Sequence, residues 1–258
     1  MKNVISYLIL LAQIIFLIKT GLDLDLYDLA FTYINLLIKR REESLQNLDK
    51  NEQQLFMKAS KEKFNLFRDG WKNLLDFEQN ETDGNFIKKE KITQEIGKLE
   101  LKIKEFCQEM INKSDKLKKD YIDNIDNLPS KIFYMKIKAD YYRYLAEIAN
   151  EEEFPEVLKE ARDCYEEAYK LCTDGTSNIA PQDALALSVV LNYTVFLYFI
   201  LDDTRFAFGI ADKAYKAAMC NLTLEANGNV EKDPEVEVLI KRIEENLTIW
   251  KIELFDIN

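Results

Sequence analysis

Seven glycines and four prolines spread over 258 residues leave this chain with very few helix breakers. A sandwich or barrel of many short strands needs such residues at its turns, so their scarcity favours long helices. With 47% of its residues hydrophobic, a chain of this length can bury a substantial core. The fold class read from this is all-α. No linker-like stretch divides the chain, which makes it one domain over 1–258.

Composition also removes whole classes of function. A net charge of −11 and a sequence pI near 4.8 oppose nonspecific nucleic-acid binding, because an acidic chain displaces no counterions from a phosphate backbone. Any phosphate site must be a local reversal of sign. Histidine is absent, and zincin, Ser-His-Asp and Cys-His chemistry all require an imidazole as ligand or base. Carboxylate or lysine catalysis stays formally open, but no constellation supports it. The chain therefore reads as a non-enzyme with no metal and no cofactor. Cys107, Cys164, Cys172 and Cys220 form no CxxC pair and fall in apolar helical patterns. They read as buried reduced thiols, which suits a cytoplasmic protein.

Taken in order, the chain begins with an apolar run over 4–18 that has the length of a signal-peptide core, with Lys2 before it. Gln13 interrupts it, a spanning helix needs about twenty apolar residues, and no small-x-small cleavage site follows Ile18. It is read as a helix that something must cover, and not as a membrane element. Gly21 and Asp23 separate it from a helix over about 25–42, and the polar SLQNLDKNEQ leads into a third over about 52–78. A fourth runs from Phe86 past Cys107. Gly97 inside it costs helix stability and is read as a point of close approach. Pro129 stands where the next helix can begin. Further helices are predicted over 153–172, 183–201 and 203–222, and Asp233-Pro234 opens a last one with an N-cap followed by proline. The total is about nine antiparallel helices.

The stretch richest in chemistry is FYMKIKADYYRYLAEIA, over 133–149. Ile132, Met135, Ala139, Tyr142, Leu145, Ala146 and Ala149 recur at helical spacing, while Lys136, Asp140, Arg143 and Glu147 share another side. Asp140 and Glu147, three before and four after Arg143, can hold its guanidinium, and a held Arg offers a fork suited to phosphate. On the third helix Lys61 and Arg68 lie seven apart, so two turns bring them to one side. On the seventh, Asn192, Val195 and Phe199 share a side, and an amide among aliphatics must be satisfied by something.

Within that stretch DYYRYLAE (140–147) resembles the signature of the 14-3-3 proteins, dimeric all-helical adaptors that bind phosphoserine and phosphothreonine peptides in a concave groove. The likeness continues through LNYTVFLYFIL (191–201), NLTIW (246–250) and the spacing Lys61, Arg68, Trp71. It covers most of the chain and is weakest over 1–50. The resemblance implies that Lys61, Arg68, Arg143 and Tyr144 bind phosphate, and that Asn192 and Asn246 bond the peptide backbone. Lys136, Leu191, Val195, Val238, Leu239, Arg242 and Trp250 would line the groove. The sequence departs from the family where Phe67 replaces an Arg, Phe199 a Glu and Arg242 a Leu. Arg242 in a normally apolar wall is expected to tilt peptide choice toward acidic or polar residues.

The resemblance also implies a homodimer in which the first helices pack across a seam, with Asp28 paired to Lys98 and Asp25 to Lys102. In the second pair both signs are reversed relative to the family, so homodimers are expected over mixed dimers with more typical relatives. After Trp250 only a short tail, 251–258, is expected. The first reading of function is thus an adaptor that clamps phosphorylated client proteins. The second is a helical scaffold of the same fold whose phosphopeptide recognition is lost or altered.

Overall fold

The computed structural model describes residues 2–80, 86–119, 127–175, 179–226 and 233–255, and among these every regular element is an α-helix. In chain order they are α1 (Lys2–Asp23), α2 (Tyr27–Glu43), α3 (Lys50–Asn80), α4 (Phe86–Lys119), α5 (Leu128–Ala146), α6 (Phe154–Thr173), α7 (Ala184–Phe199), α8 (Thr204–Ala226) and α9 (Pro234–Phe255). The chain divides into two compact units, 1–110 and 111–258, the division falling inside α4.

In the first unit α1, α2 and α3 pack on one another. Gly21 makes the α1–α2 approach possible: a Cβ there would stand 3.0 Å from the Ala30 nitrogen and 3.1 Å from its Cβ. Gly97 is different. It was expected to mark a close approach, yet a Cβ added there meets nothing within 4 Å, so the residue only weakens α4. Gly97→Ala is therefore expected to stabilise the protein by about 0.5–1 kcal/mol, and Gly21→Ala to destabilise it by about 1–3 kcal/mol. Urea midpoints of the two variants moving in the same direction would contradict this.

The start of α3 carries a reciprocal cap within the polar segment that leads into it. The Glu52 amide donates to Asp49 Oδ1 at 2.9 Å and the Asp49 amide to Glu52 Oε2 at 3.1 Å. Arg41 then clamps the buried Glu52 carboxylate with Nη2 at 2.6 Å and Nε at 3.0 Å. Phe67, the residue standing where the family has an Arg, turns its ring edge-on to Phe106 of α4 at 5.8 Å. It is a packing residue.

Helix α1 has two apolar faces. Leu11, Ile14, Ile18 and Leu22 are buried, whereas Ile5, Leu8, Ile9 and Phe16 are exposed. The helix continues past Ile18, and Ile5–Asp23, of mean hydropathy 2.0, is long and apolar enough to cross a membrane by length and composition. The length objection raised from the apolar run alone therefore does not hold.

In the second unit α5 lies on α6, and α7 packs against α5, α6, α8 and α9. Tyr165, Leu187, Tyr193, Phe196, Ile243 and Trp250 fill its core. Asp183 caps α7 through the Leu185 amide at 2.8 Å, and Asp233 caps α9 through the Glu235 amide at 2.9 Å, as Asp-first helix starts predict. Helix α9 runs to Phe255, so most of the stretch expected as tail is helical. None of the four cysteines is in a disulfide, but only Cys107 and Cys172 are buried; Cys164 is half-buried and Cys220 exposed. Burial pushes the thiols of Cys164 and Cys172 up to about 11 and about 12, which keeps them protonated and inert.

Candidate functional site

The site is built around one carboxylate on α5. Pro129 opens that helix, and Ile132, Met135, Ala139 and Ala146 are buried as their spacing predicts. The helix stops at Ala146, so Glu147 is its C-terminal cap and Ile148 and Ala149 lie beyond it. Lys136 and Asp140 are buried too, which is the surprise of this helix: the side expected to carry free charges is covered as well.

Asp140 accepts three hydrogen bonds from three helices. Lys136 Nζ donates to Oδ2 at 2.8 Å, while the Tyr165 hydroxyl at 2.5 Å and Asn192 Nδ2 at 2.8 Å both reach Oδ1. One carboxylate thereby ties α5 to α6 and α7. Burial alone would push the Asp140 carboxyl up, but the charges of Lys136 and Arg143 and the bonds from Lys136 and Tyr165 outweigh it and hold it below the usual carboxylate range. Asp140 is an anion in the fold. The Tyr165 hydroxyl is pushed well up by burial and by Asp140, so it stays a donor.

Arg143 sits one turn further on. Its Nη1 is 3.5 Å from Glu147 Oε1, a loose contact, and its guanidinium carbon lies 4.4 Å over the Tyr144 ring. Only 14% of its side chain is exposed, and its Nε is buried and without a hydrogen-bond partner among the described residues. Burial would lower its pKa, yet the fields of Tyr165, Tyr144 and Asp140 raise it, so it is a permanent cation. Tyr144 is half-buried, with Tyr141 edge-on to it at 5.5 Å.

The other expected site residues divide by unit. In the second unit Asn192 joins the Asp140 cluster through its Nδ2, which meets part of the bonding that a polar group among aliphatics requires. Leu191 and Trp250 are buried in the core, Trp250 only 2% exposed and with its ring centre 5.3 Å from that of Tyr198. Val195, Leu239 and Asn246 are half-buried, while Val238 and Arg242 are exposed. In the first unit Lys61 is exposed and Arg68 half-buried on α3, two turns apart, and Trp71 donates to Glu100 on α4 at 3.1 Å. Of the seam residues, Asp25 sits in the turn between α1 and α2 at φ 56°, accepting from the Tyr27 hydroxyl at 2.6 Å. Asp28 pairs within the chain with Lys63 at 3.1 Å, and Lys98 with Glu95 at 2.7 Å. Lys102 is exposed.

Tyr165 was not foreseen as a site residue. Its only signal is a polar-tipped ring in the apolar row Ala161, Tyr165, Ala168 and Cys172 of α6, all of them buried.

The family model for "14-3-3 protein" matches residues 23–251 of this chain. The chain belongs to the 14-3-3 family. The 14-3-3-like protein 2 of Caenorhabditis elegans is 29% identical over 214 residues, 83% of this chain and 82% of that protein. The 14-3-3 protein homolog 2 of Schistosoma mansoni is 30% identical over 208 residues, 80% and 92% of the two chains. The 14-3-3 protein beta/alpha-A of Xenopus laevis is 29% identical over 207 residues, 80% of each chain. As a 14-3-3 protein the chain has an adaptor-type role. All of α1 before Asp23 precedes the matched region.

Proposed function

We propose that this chain is a phosphoserine- and phosphothreonine-peptide adaptor that clamps phosphorylated client proteins in the cytoplasm. The observation that carries the reading is Arg143, a largely covered permanent cation whose buried Nε has no hydrogen-bond partner among the described residues and whose contact with Glu147 is long. Leaving a buried donor unmade costs about 1–3 kcal/mol, more for a charged group, and a phosphate oxygen would recover it. Tyr144 beneath the guanidinium supplies a phenolic donor. The resemblance implies that Lys61 and Arg68 bind phosphate as well, each a cation suited to a group of about −1.5 to −2 charge. Asn192 and Asn246 would hold the peptide backbone, and catalysis is not needed.

Titrating a fluorescent phosphoserine peptide and its unphosphorylated twin tests this, with at least a hundredfold preference for the phosphorylated form expected. Equal affinities would favour the second reading, a helical scaffold that no longer reads phosphate, for which the exposed Phe199 and Arg242 speak.

The same resemblance supports a homodimer. The exposed apolar face of α1 needs cover, and Asp25, Asp28, Lys98 and Lys102 are all exposed. Asp28 and Lys98 would exchange their present partners for each other across the seam. Sedimentation of the wild type, Asp25→Lys, Lys102→Glu and the double variant decides the point. A dimer weakened by each single reversal and restored by the double one is expected, and a monomeric wild type ends the idea.

A further inference from the structure

Two exposed apolar side chains of the second unit stand on the faces that carry the two asparagines. On α7, Phe199 follows Asn192 by seven residues, two full turns along the same side, and is 70% exposed. On α9, Ile249 follows Asn246 by three residues and is 56% exposed. The Tyr198 ring lies 5.3 Å from that of Trp250, which sets the last turn of α7 level with the turn of α9 that carries Ile249. Single exposed apolar residues are ordinary on a protein surface. Here two of them stand on the helix faces that carry Asn192 and Asn246, Phe199 as the last residue of α7 and Ile249 inside α9.

We infer that Phe199 and Ile249 form an apolar rest that selects a large apolar side chain in the bound peptide, close to the phosphorylated residue. This rests on the phosphopeptide reading and specifies its ligand. Seven residues of α7 rise about 10.5 Å, and an extended peptide advances about 3.3 Å per residue. The selected side chain thus falls within about three residues of the one held by Asn192. A charged side chain set against this rest would lose water without gaining a partner, so selection includes rejection.

The test is a set of phosphoserine peptides in which each of the three positions on either side of the phosphoserine is in turn Leu, Phe, Ala, Asp or Arg. One position is expected to favour Leu and Phe by about tenfold over Asp and Arg. Phe199→Glu should abolish that preference and turn it toward Arg at the same position, and Ile249→Glu should weaken it without changing far-ultraviolet circular dichroism. Binding that is tight but indifferent at every position, or a preference unchanged in Phe199→Glu, overturns the inference while leaving the phosphopeptide reading intact. Failure of every phosphorylated peptide to bind overturns both.

Discussion

Asp140→Ala is expected to destabilise the second unit by about 3–5 kcal/mol, the range for removing one partner of a buried ion pair. The substitution deletes the acceptor for three donors at once: a buried ammonium, a buried phenol and the Asn192 amide. Asp140→Asn keeps an oxygen for one or two of them and should fall between the variant and the wild type. Urea midpoints followed by circular dichroism measure both, and a loss below about 1 kcal/mol for Asp140→Ala would show that the cluster is not coupled. The pH dependence follows from the sign of the shift. The folded carboxyl lies below its unfolded value, so its contribution is present above the unfolded carboxylate pKa of about 3.9 and fades as pH falls through the folded one. The wild-type advantage over Asp140→Asn should therefore shrink only in strong acid.

Arg143→Ala is expected to lower phosphopeptide affinity by about 10–150-fold, the equivalent of losing a charge-assisted hydrogen bond of about 1.5–3 kcal/mol. Its removal also takes a positive neighbour from Asp140, so some loss of stability accompanies it. Arg143→Lys separates the two effects. A lysine keeps the charge beside Asp140 but cannot reproduce the planar fork, so it should retain most of the stability and lose much of the affinity. Arg68→Ala, on the other cation-bearing helix, should reduce affinity comparably with no effect on the Asp140 cluster. If Arg143→Lys and Arg68→Ala both bound the phosphopeptide within threefold of the wild type, the phosphate site would lie elsewhere. Arg242→Leu should leave phosphate dependence unchanged and restore tolerance for apolar residues on the carboxyl side of the phosphate.

Much of this protein was legible before any coordinates. Few glycines and prolines dictated long helices, and Asp183, Asp233 and Pro129 marked helix starts, because caps are local chemistry set by neighbouring residues. The DYYRYLAE motif pointed to Arg143 for the same reason: its charge partners lie within one turn. Burial was not legible. Lys136 and Asp140 look in sequence like a solvated face and are interior, since what covers them comes from α6 and α7. Tyr165 stands 25 residues from Asp140, and Asn192 stands 52 away. No periodicity within a helix reports a contact of that separation. The contrast between Gly21 and Gly97 is of the same kind, because identical residues mean opposite things according to whether another helix passes beside them. The sequence by itself determined which segments coil and where their caps fall. Only the tertiary structure decided which charges are buried and which of them are neutralised inside the fold, because the groups that cover and pair them come from other helices.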